Sequence, residues 1–268
     1  MRICYFNLVA ASALLCACLS SCDDKNKTPD IPQENIEVKN LVVGDKDIPN
    51  SGIAYVYGHL SVQAEIIVNE GTIASIKMSA HQNNGGEGRF DEVELLPYFN
   101  KETNALNVVL PTDDYEQIPL DQPTGEYVMG LIITLDDGKS MEFTSNFQVS
   151  DKPFLENFEM GSGHGVGEVN NHIGSLKVGD LHVETDIYCV MNQLKQVTII
   201  IKSEDGKTEL VNQVWDKSPY SNTRNTTFHE HPKFPDGTKP GNYIFKFIAE
   251  DKAGNTCTRE LNLTIVEE

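Results

Sequence analysis

Basic side chains are scarce in this sequence of 268 residues, which carries 21 Lys and Arg residues against 40 Asp and Glu residues. The formal net charge of −19 argues against nucleic acid as a partner, because binding to a polyanion depends on clustered Lys and Arg side chains. The same deficit argues against electrostatic adhesion to anionic lipid headgroups. Any partner is therefore expected to be recognised through other chemistry.

Long apolar runs and catalytic motifs are also missing. Beyond the amino-terminal segment, no stretch approaches the roughly 18 apolar residues of a membrane-spanning helix, so none is predicted. The sequence contains neither a G-x-S-x-G nucleophile elbow nor an H-E-x-x-H zinc-hydrolase motif. We therefore predict a protein without enzymatic activity.

The first 22 residues have the pattern of an export signal. A single charge at Arg2 precedes an uncharged run from 3 to 21, which is typical of a secretory h-region. The run ends in Leu19-Ser20-Ser21-Cys22, which resembles a bacterial lipobox. This resemblance implies that 1–21 is a signal peptide and that Cys22 is the lipidated first residue of the mature chain. The alternative is an ordinary signal peptide cleaved near Ser21.

An acidic pair, Asp23-Asp24, directly follows Cys22 and resembles the export signal of surface lipoproteins in Bacteroidetes. The resemblance implies a lipid anchor in the outer membrane and favours surface exposure over the periplasm. The alternative is a merely polar tether. Because Pro29 and Pro32 stand among polar residues, 22–35 is predicted to be a flexible tether.

Beyond residue 35 the sequence predicts an all-β protein built as tandem immunoglobulin-like β-sandwiches. Short alternating apolar and polar runs recur between Gly, Pro, Asn and Asp clusters. Residues 57–66 align with 178–187, and Gly125-Glu126-Tyr127 aligns with Gly241-Asn242-Tyr243. We therefore predict two duplicated units at 36–150 and 151–268, each of the size of a seven-stranded sandwich.

Histidine is concentrated in the second unit, which holds five of the seven. Strand alternation predicts that His182 and Glu184 point away from the core, as do His229 and His231 on another strand. These two strands are antiparallel neighbours in an immunoglobulin-like sandwich, so the four side chains should meet, with His172 approaching from the preceding segment. Imidazole plus carboxylate suits zinc or copper. The alternative is a polar sheet face with ordinary cross-strand pairs.

The first unit provides an internal comparison for this cluster. Ser61 and Gln63 stand where the second unit has His182 and Glu184, and Asn107 lies near the place of the His229 pair. If the units are duplicates, the fold does not require the histidines. A function confined to the second unit is one explanation, and simple divergence of a surface is the other.

The second unit resembles a family of Bacteroidetes lipoprotein domains of uncharacterised function. The resemblance covers 154–266 and is carried by the segments 179–184, 228–231, 241–243 and 254–255. It implies an envelope lipoprotein with a role in metal handling, with family positions at His182, His229 and His231 and less directly at His172.

Two cysteines, Cys189 and Cys257, remain outside the amino-terminal segment. Both are predicted to lie at one end of the second sandwich. An extracytoplasmic location permits a disulfide between them. Two buried free thiols are the alternative.

Three functions are compatible with these patterns. The first is a metal-binding module for uptake or for delivery to an outer-membrane receptor or transporter. The second is a glycan- or protein-binding accessory lipoprotein using Tyr188, Trp215 and Tyr220. The third is a structural spacer or adhesin subunit.

Overall fold

The computed structural model describes residues 35–110, 118–162, 168–169, 175–176 and 181–266. Within these ranges nearly all regular structure is β, and two single-turn 3₁₀ helices are the exceptions. The strands of the first sandwich are β1 Ile36–Asp45, β2 Ile53–Tyr55, β3 Leu60–Val68, β4 Ile73–Gln82, β5 Arg89–Glu94, β6 Phe99–Asn100, β7 Ala105–Leu110, β8 Gly125–Leu135 and β9 Ser140–Ser150.

The second sandwich has the same number of strands. They are β10 Phe154–Ser162, β11 Glu168–Val169, β12 Ser175–Leu176, β13 Leu181–Tyr188, β14 Leu194–Ser203, β15 Glu209–Trp215, β16 Asn225–Glu230, β17 Gly241–Asp251 and β18 Thr256–Ile265. Seven of these correspond to the seven strands expected of an immunoglobulin-like sandwich, whereas the two-residue strands β11 and β12 are not predicted by the hydrophobic alternation. Among the described residues, no helix is both long and apolar enough to cross a membrane.

The two sandwiches share the order of the larger sheet and of three strands of the smaller sheet. The fourth strand of the smaller sheet differs, since β6 lies beyond β7 in the first sandwich and β11 lies beyond β10, at the opposite edge, in the second. In the first, the sheets run β1-β3-β7-β6 and β2-β9-β8-β4-β5, and in the second, β11-β10-β13-β16 and β12-β18-β17-β14-β15. A short parallel edge strand, β2 or β12, closes the larger sheet in each case. The predicted tandem of immunoglobulin-like β-sandwiches is confirmed.

Local irregularities are repeated as well as the strand order. The pairing of β1 with β3 shifts register at a bulge that holds Asn40 in the left-handed region, with φ of 52°. The pairing of β10 with β13 shifts at the same place, where Asn157 has φ of 55°. Asn adopts this conformation at lower free-energy cost than most other residues, so its presence favours each bulge.

A tyrosine corner braces each sandwich. Tyr127 donates its hydroxyl to the carbonyl of Pro123 at 2.7 Å, and Tyr243 donates to the carbonyl of Lys239 at 2.7 Å. Both tyrosines follow a glycine, Gly125 or Gly241, at the start of their strand. This motif is characteristic of immunoglobulin-like sandwiches, and its tyrosines lie in the two segments, 125–127 and 241–243, that align with each other.

The two sandwiches belong to one compact unit and meet through an ordered junction. The ring of Phe154 is stacked between Tyr55 and Tyr188, with centroids 4.9 Å from each. The buried carboxylate of Glu156 lies 2.7 Å from Nδ1 of His59. The contacts place the β10-β13-β16 sheet, which carries the predicted site, beside the first sandwich.

Candidate metal centre

The site is built on two neighbouring antiparallel strands, β13 and β16. Glu184 lies directly opposite His229, and Val183 lies opposite Glu230. Continuing this register by one residue brings His231 opposite His182. Because directly opposed side chains share a sheet face with Cβ atoms about 5 Å apart, the four residues occupy one patch.

Three histidines converge within this patch. One ligand atom from each of His182, His229 and His231 lies within 4.8 Å of the others. The ring of His182 is 5.0 Å from that of His229 and 5.2 Å from that of His231, measured between centroids. Strands β13 and β16 therefore bring three imidazoles within reach of a single ion.

Glu184 adds a carboxylate to the three rings. Its Oε2 lies 3.4 Å from Nε2 of His182 and 3.7 Å from Nδ1 of His229. Two nitrogens bound to one zinc ion at 2.0–2.1 Å are at most about 4.2 Å apart. Side-chain adjustments of about 1 Å would therefore bring these groups into a coordination sphere.

The exposure predicted for His182 is wrong. Its side chain is only 1% exposed, whereas those of His229 and Glu184 are 43% and 38% exposed. Sequence alternation assigned the correct sheet face, but it could not show that the rings of His229 and His231 pack against His182 from the neighbouring strand. The site thus has one buried ligand, His182, at its floor, while its outer side is open to solvent.

Tyr220 fixes the backbone of the outer strand. Its ring packs on Phe228 with centroids 4.8 Å apart, and its hydroxyl donates to the carbonyl of His229 at 3.1 Å. Trp215 also packs on Phe228, edge to face, at 5.1 Å. Tyr220 is only 8% exposed, so the expectation that it belongs to an aromatic contact surface is wrong, whereas Trp215 is half-buried with its ring packed on the core beneath the site.

Glu159 is a neighbour that the sequence interpretation missed. It lies opposite Glu184 on β10, which makes a row of Glu159, Glu184 and His229 across three strands. Its Oε1 is buried and accepts no hydrogen bond from the residues that the structure describes. The bulge at Asn157 resets the alternation of β10, and the asparagine itself is the only sequence signal for that shift.

Four further residues were predicted for a site or a modification. His172 and Cys22 fall outside the described residues. Cys189 and Cys257 are free thiols, the first buried and the second half-buried. Burial raises the pKa of Cys189 to about 12 and that of Cys257 to about 11. Because the thiolate is the reactive form, both are poorly disposed to oxidation.

The first sandwich has a different chemistry at the equivalent positions. Gln63 lies opposite Asn107, as Glu184 lies opposite His229, and Val42 lies opposite Gln63 where the second sandwich has Glu159. Ser61 takes the place of His182. The same topology thus forms without any of the candidate ligands.

The similarity of this chain to known proteins is remote. No family model matches the sequence. No curated protein matches it either. Among solved structures, dimeric latent PorU from Porphyromonas gingivalis is 11% identical over 90% of this chain, with a TM-score of 0.35. SGBP-B of the Bacteroides ovatus mixed-linkage glucan utilization locus is 15% identical over 83%, with a TM-score of 0.32. CopC from Methylosinus trichosporium OB3b is 16% identical over 37%, with a TM-score of 0.25.

These likenesses concern the β-sandwich fold alone. The chain spans 22% of the length of PorU, 45% of SGBP-B and 84% of CopC.

Proposed function

We propose that this protein is a lipid-anchored protein of the outer membrane, displayed at the cell surface, whose second sandwich binds zinc or copper. The observation that carries the proposal is the convergence of His182, His229 and His231 within 4.8 Å. Neutral imidazoles and one carboxylate form a donor set that suits these ions better than calcium or magnesium.

The arrangement of the ligands favours a site that exchanges its ion. His229 and His231 are exposed, so an ion can enter and leave from solvent. His182 is buried and forms the floor of the site. The core beneath is complete in both sandwiches, which means that a metal is not needed to build the fold. Uptake, or delivery to an outer-membrane receptor or transporter, fits such a site better than structural stabilisation.

Titration calorimetry of the purified full-length chain with Zn²⁺ and Cu²⁺ tests the metal site. We expect binding of one ion per chain with a Kd well below about 100 μM, and its loss in His182→Ala and His229→Ala. His81→Ala, which removes an exposed histidine of the first sandwich, is the matched control and should bind normally. Weaker binding by the parent chain, or unchanged binding by both site variants, would contradict the proposal.

Anchoring and display are tested separately from metal binding. Metabolic labelling with a clickable fatty acid should mark the parent chain and fail to mark Cys22→Ala. Protease added to intact cells should then degrade the labelled protein. Label that persists in Cys22→Ala would refute the anchor, and full protection from protease would refute surface display.

A further inference from the structure

A cleft opens where the two sandwiches meet, on the face of the second sandwich that also carries the histidines. Its larger part, of about 390 Å³, lies between Tyr57 of the first sandwich and the strands that hold Asp186, Tyr188 and Thr227. A smaller part of about 200 Å³ shares Tyr57 and Asn225 with it. Small-molecule sites often lie between domains and have volumes upward of about 300 Å³.

Tyr57 stands in the middle of this cleft in an unfavourable backbone conformation. Its φ is 66°, in the left-handed region, and its side chain is 38% exposed. A hydrogen bond of 2.7 Å from its amide to the carbonyl of Ile118 holds it there. A bulky residue in this region is an outlier, and such strain is concentrated at ligand-binding sites. Asn or Gly would adopt this backbone conformation at a lower free-energy cost. The turn alone therefore does not explain why a tyrosine occupies the position.

Asp186 forms a fixed hydrogen-bond acceptor on the wall of the cleft. Asn157 donates to its Oδ2 at 2.7 Å, and Thr227 donates to its Oδ1 at 2.7 Å. A carboxylate has about four acceptor positions, so each oxygen retains capacity for a second donor. The first sandwich has Glu65 opposite Ala105 at the equivalent place, so the fold does not require this clamp.

The cleft is lined by charges of both signs. Asp186 lines the larger part, and Arg224 lines the smaller part. An anionic ligand would meet the carboxylate, and a cationic ligand would meet the guanidinium. A neutral sugar ring with vicinal hydroxyls is repelled by neither charge. Its C–H face can pack on a tyrosine while its hydroxyls donate to Asp186.

We propose that this cleft is a binding site for a neutral glycan, with Tyr57 and Tyr188 as the aromatic contacts and Asp186 as the hydroxyl acceptor. The ring of Tyr188 is fixed in position because it is stacked on Phe154. It also makes an edge-to-face contact with Tyr57, with the two centroids 6.3 Å apart. The site is separate from the metal centre, and neither depends on the other.

Affinity electrophoresis of the purified full-length chain tests the site. Native gels would contain, one at a time, starch, dextran, laminarin, xylan, galactomannan and inulin, with dextran sulfate and diethylaminoethyl-dextran as charged counterparts. We expect retardation by at least one neutral polysaccharide. The affinity should fall at least about tenfold in Tyr57→Asn, which keeps the left-handed turn, and in Asp186→Ala.

Controls separate the binding site from folding and from the metal centre. Tyr98→Ala removes a tyrosine of equal exposure, 37%, outside the cleft and should be retarded like the parent chain. His229→Ala should lose metal binding and keep glycan binding. Thermal melting should show that Tyr57→Asn is folded. The proposal is overturned if no neutral polysaccharide retards the parent chain, if only the charged polymers do, or if folded Tyr57→Asn is retarded as strongly as the parent.

Discussion

Gln63 donates a hydrogen bond of 3.2 Å to Asn107 across β3 and β7 of the first sandwich. The second sandwich has Glu184 and His229 at the corresponding pair of positions. One topology therefore supports a neutral amide pair in one copy and a carboxylate beside imidazoles in the other. The fold therefore does not require the histidine cluster. Substituting the first-sandwich residues at the corresponding positions should remove the cluster without disturbing the sheet.

Replacing the second-sandwich set by the first-sandwich set should abolish metal binding and leave the protein folded. The variant combines His182→Ser, Glu184→Gln and His229→Asn. We expect zinc affinity to fall at least about 100-fold, while the free energy of unfolding without metal changes by about 1 kcal/mol. Calorimetric titration and urea unfolding measure the two quantities.

Two results would count against this expectation. Retained zinc binding would mean that these side chains are not the ligands. A loss of several kcal/mol in the metal-free protein would mean that the histidines are part of the framework of the sheet, in contrast to their counterparts in the first sandwich.

Glu159→Gln tests the carboxylate that sequence interpretation missed. Its buried Oε1 accepts no hydrogen bond within the described part of the chain, and Glu159 lies in the same cross-strand row as Glu184 and His229. A cation at the histidines would give that oxygen a favourable partner. We expect zinc affinity to fall about tenfold and the melting temperature of the metal-free protein to stay constant or rise.

A control of the same chemistry is available in the first sandwich. Glu126→Gln changes an exposed carboxylate on β8 and should alter neither zinc affinity nor melting temperature. If Glu159→Gln binds zinc as tightly as the parent chain, Glu159 has no part in the site.

Local patterns predicted the longer strands and the meeting of Glu184 with His229 on one sheet face, because side-chain alternation follows from the backbone alone. The exposure of His182 did not follow, because the rings that cover it come from a strand more than 40 positions later. The bulge at Asn157 moved Glu159 onto the site, and alternation read without the bulge could not place it. The stack of Tyr55, Phe154 and Tyr188 joins two sandwiches, and no local pattern encodes such a contact.

The two tyrosine corners should differ in their contribution to stability. Tyr127 donates to Pro123 and also accepts a hydrogen bond of 2.8 Å from Gln122, whereas Tyr243 makes the single bond to Lys239. We expect Tyr127→Phe to cost about 2 kcal/mol of unfolding free energy and Tyr243→Phe about 1 kcal/mol. Urea unfolding of both variants measures the difference. Equal costs, or a larger cost for Tyr243→Phe, would contradict this assignment.

Asp45 should make the protein less stable as the pH rises toward neutrality. Burial raises its pKa from 3.8 to about 6, and Asp47 and Glu156 add to the rise, while the Asp47 amide and Arg259 oppose it. Because the pKa is higher in the folded chain than in the unfolded chain, the folded chain holds more protons between pH 4 and 6. The stability that protonated Asp45 contributes is therefore complete below about pH 4 and is lost as the pH rises through about 6.

Asp45→Asn removes this loss, since the amide keeps an oxygen for the hydrogen bond of 2.9 Å from the Asp47 amide. We expect the variant to be about 2 kcal/mol more stable than the parent chain at pH 7.5 and equal to it near pH 4, as measured by urea unfolding across that range. Asp137→Asn is a control of opposite sign, because the Lys139 side chain lowers the pKa of exposed Asp137. A difference between Asp45→Asn and the parent that is independent of pH would contradict the titration of Asp45, because only a change in its ionisation makes the gap grow from pH 4 to pH 7.5.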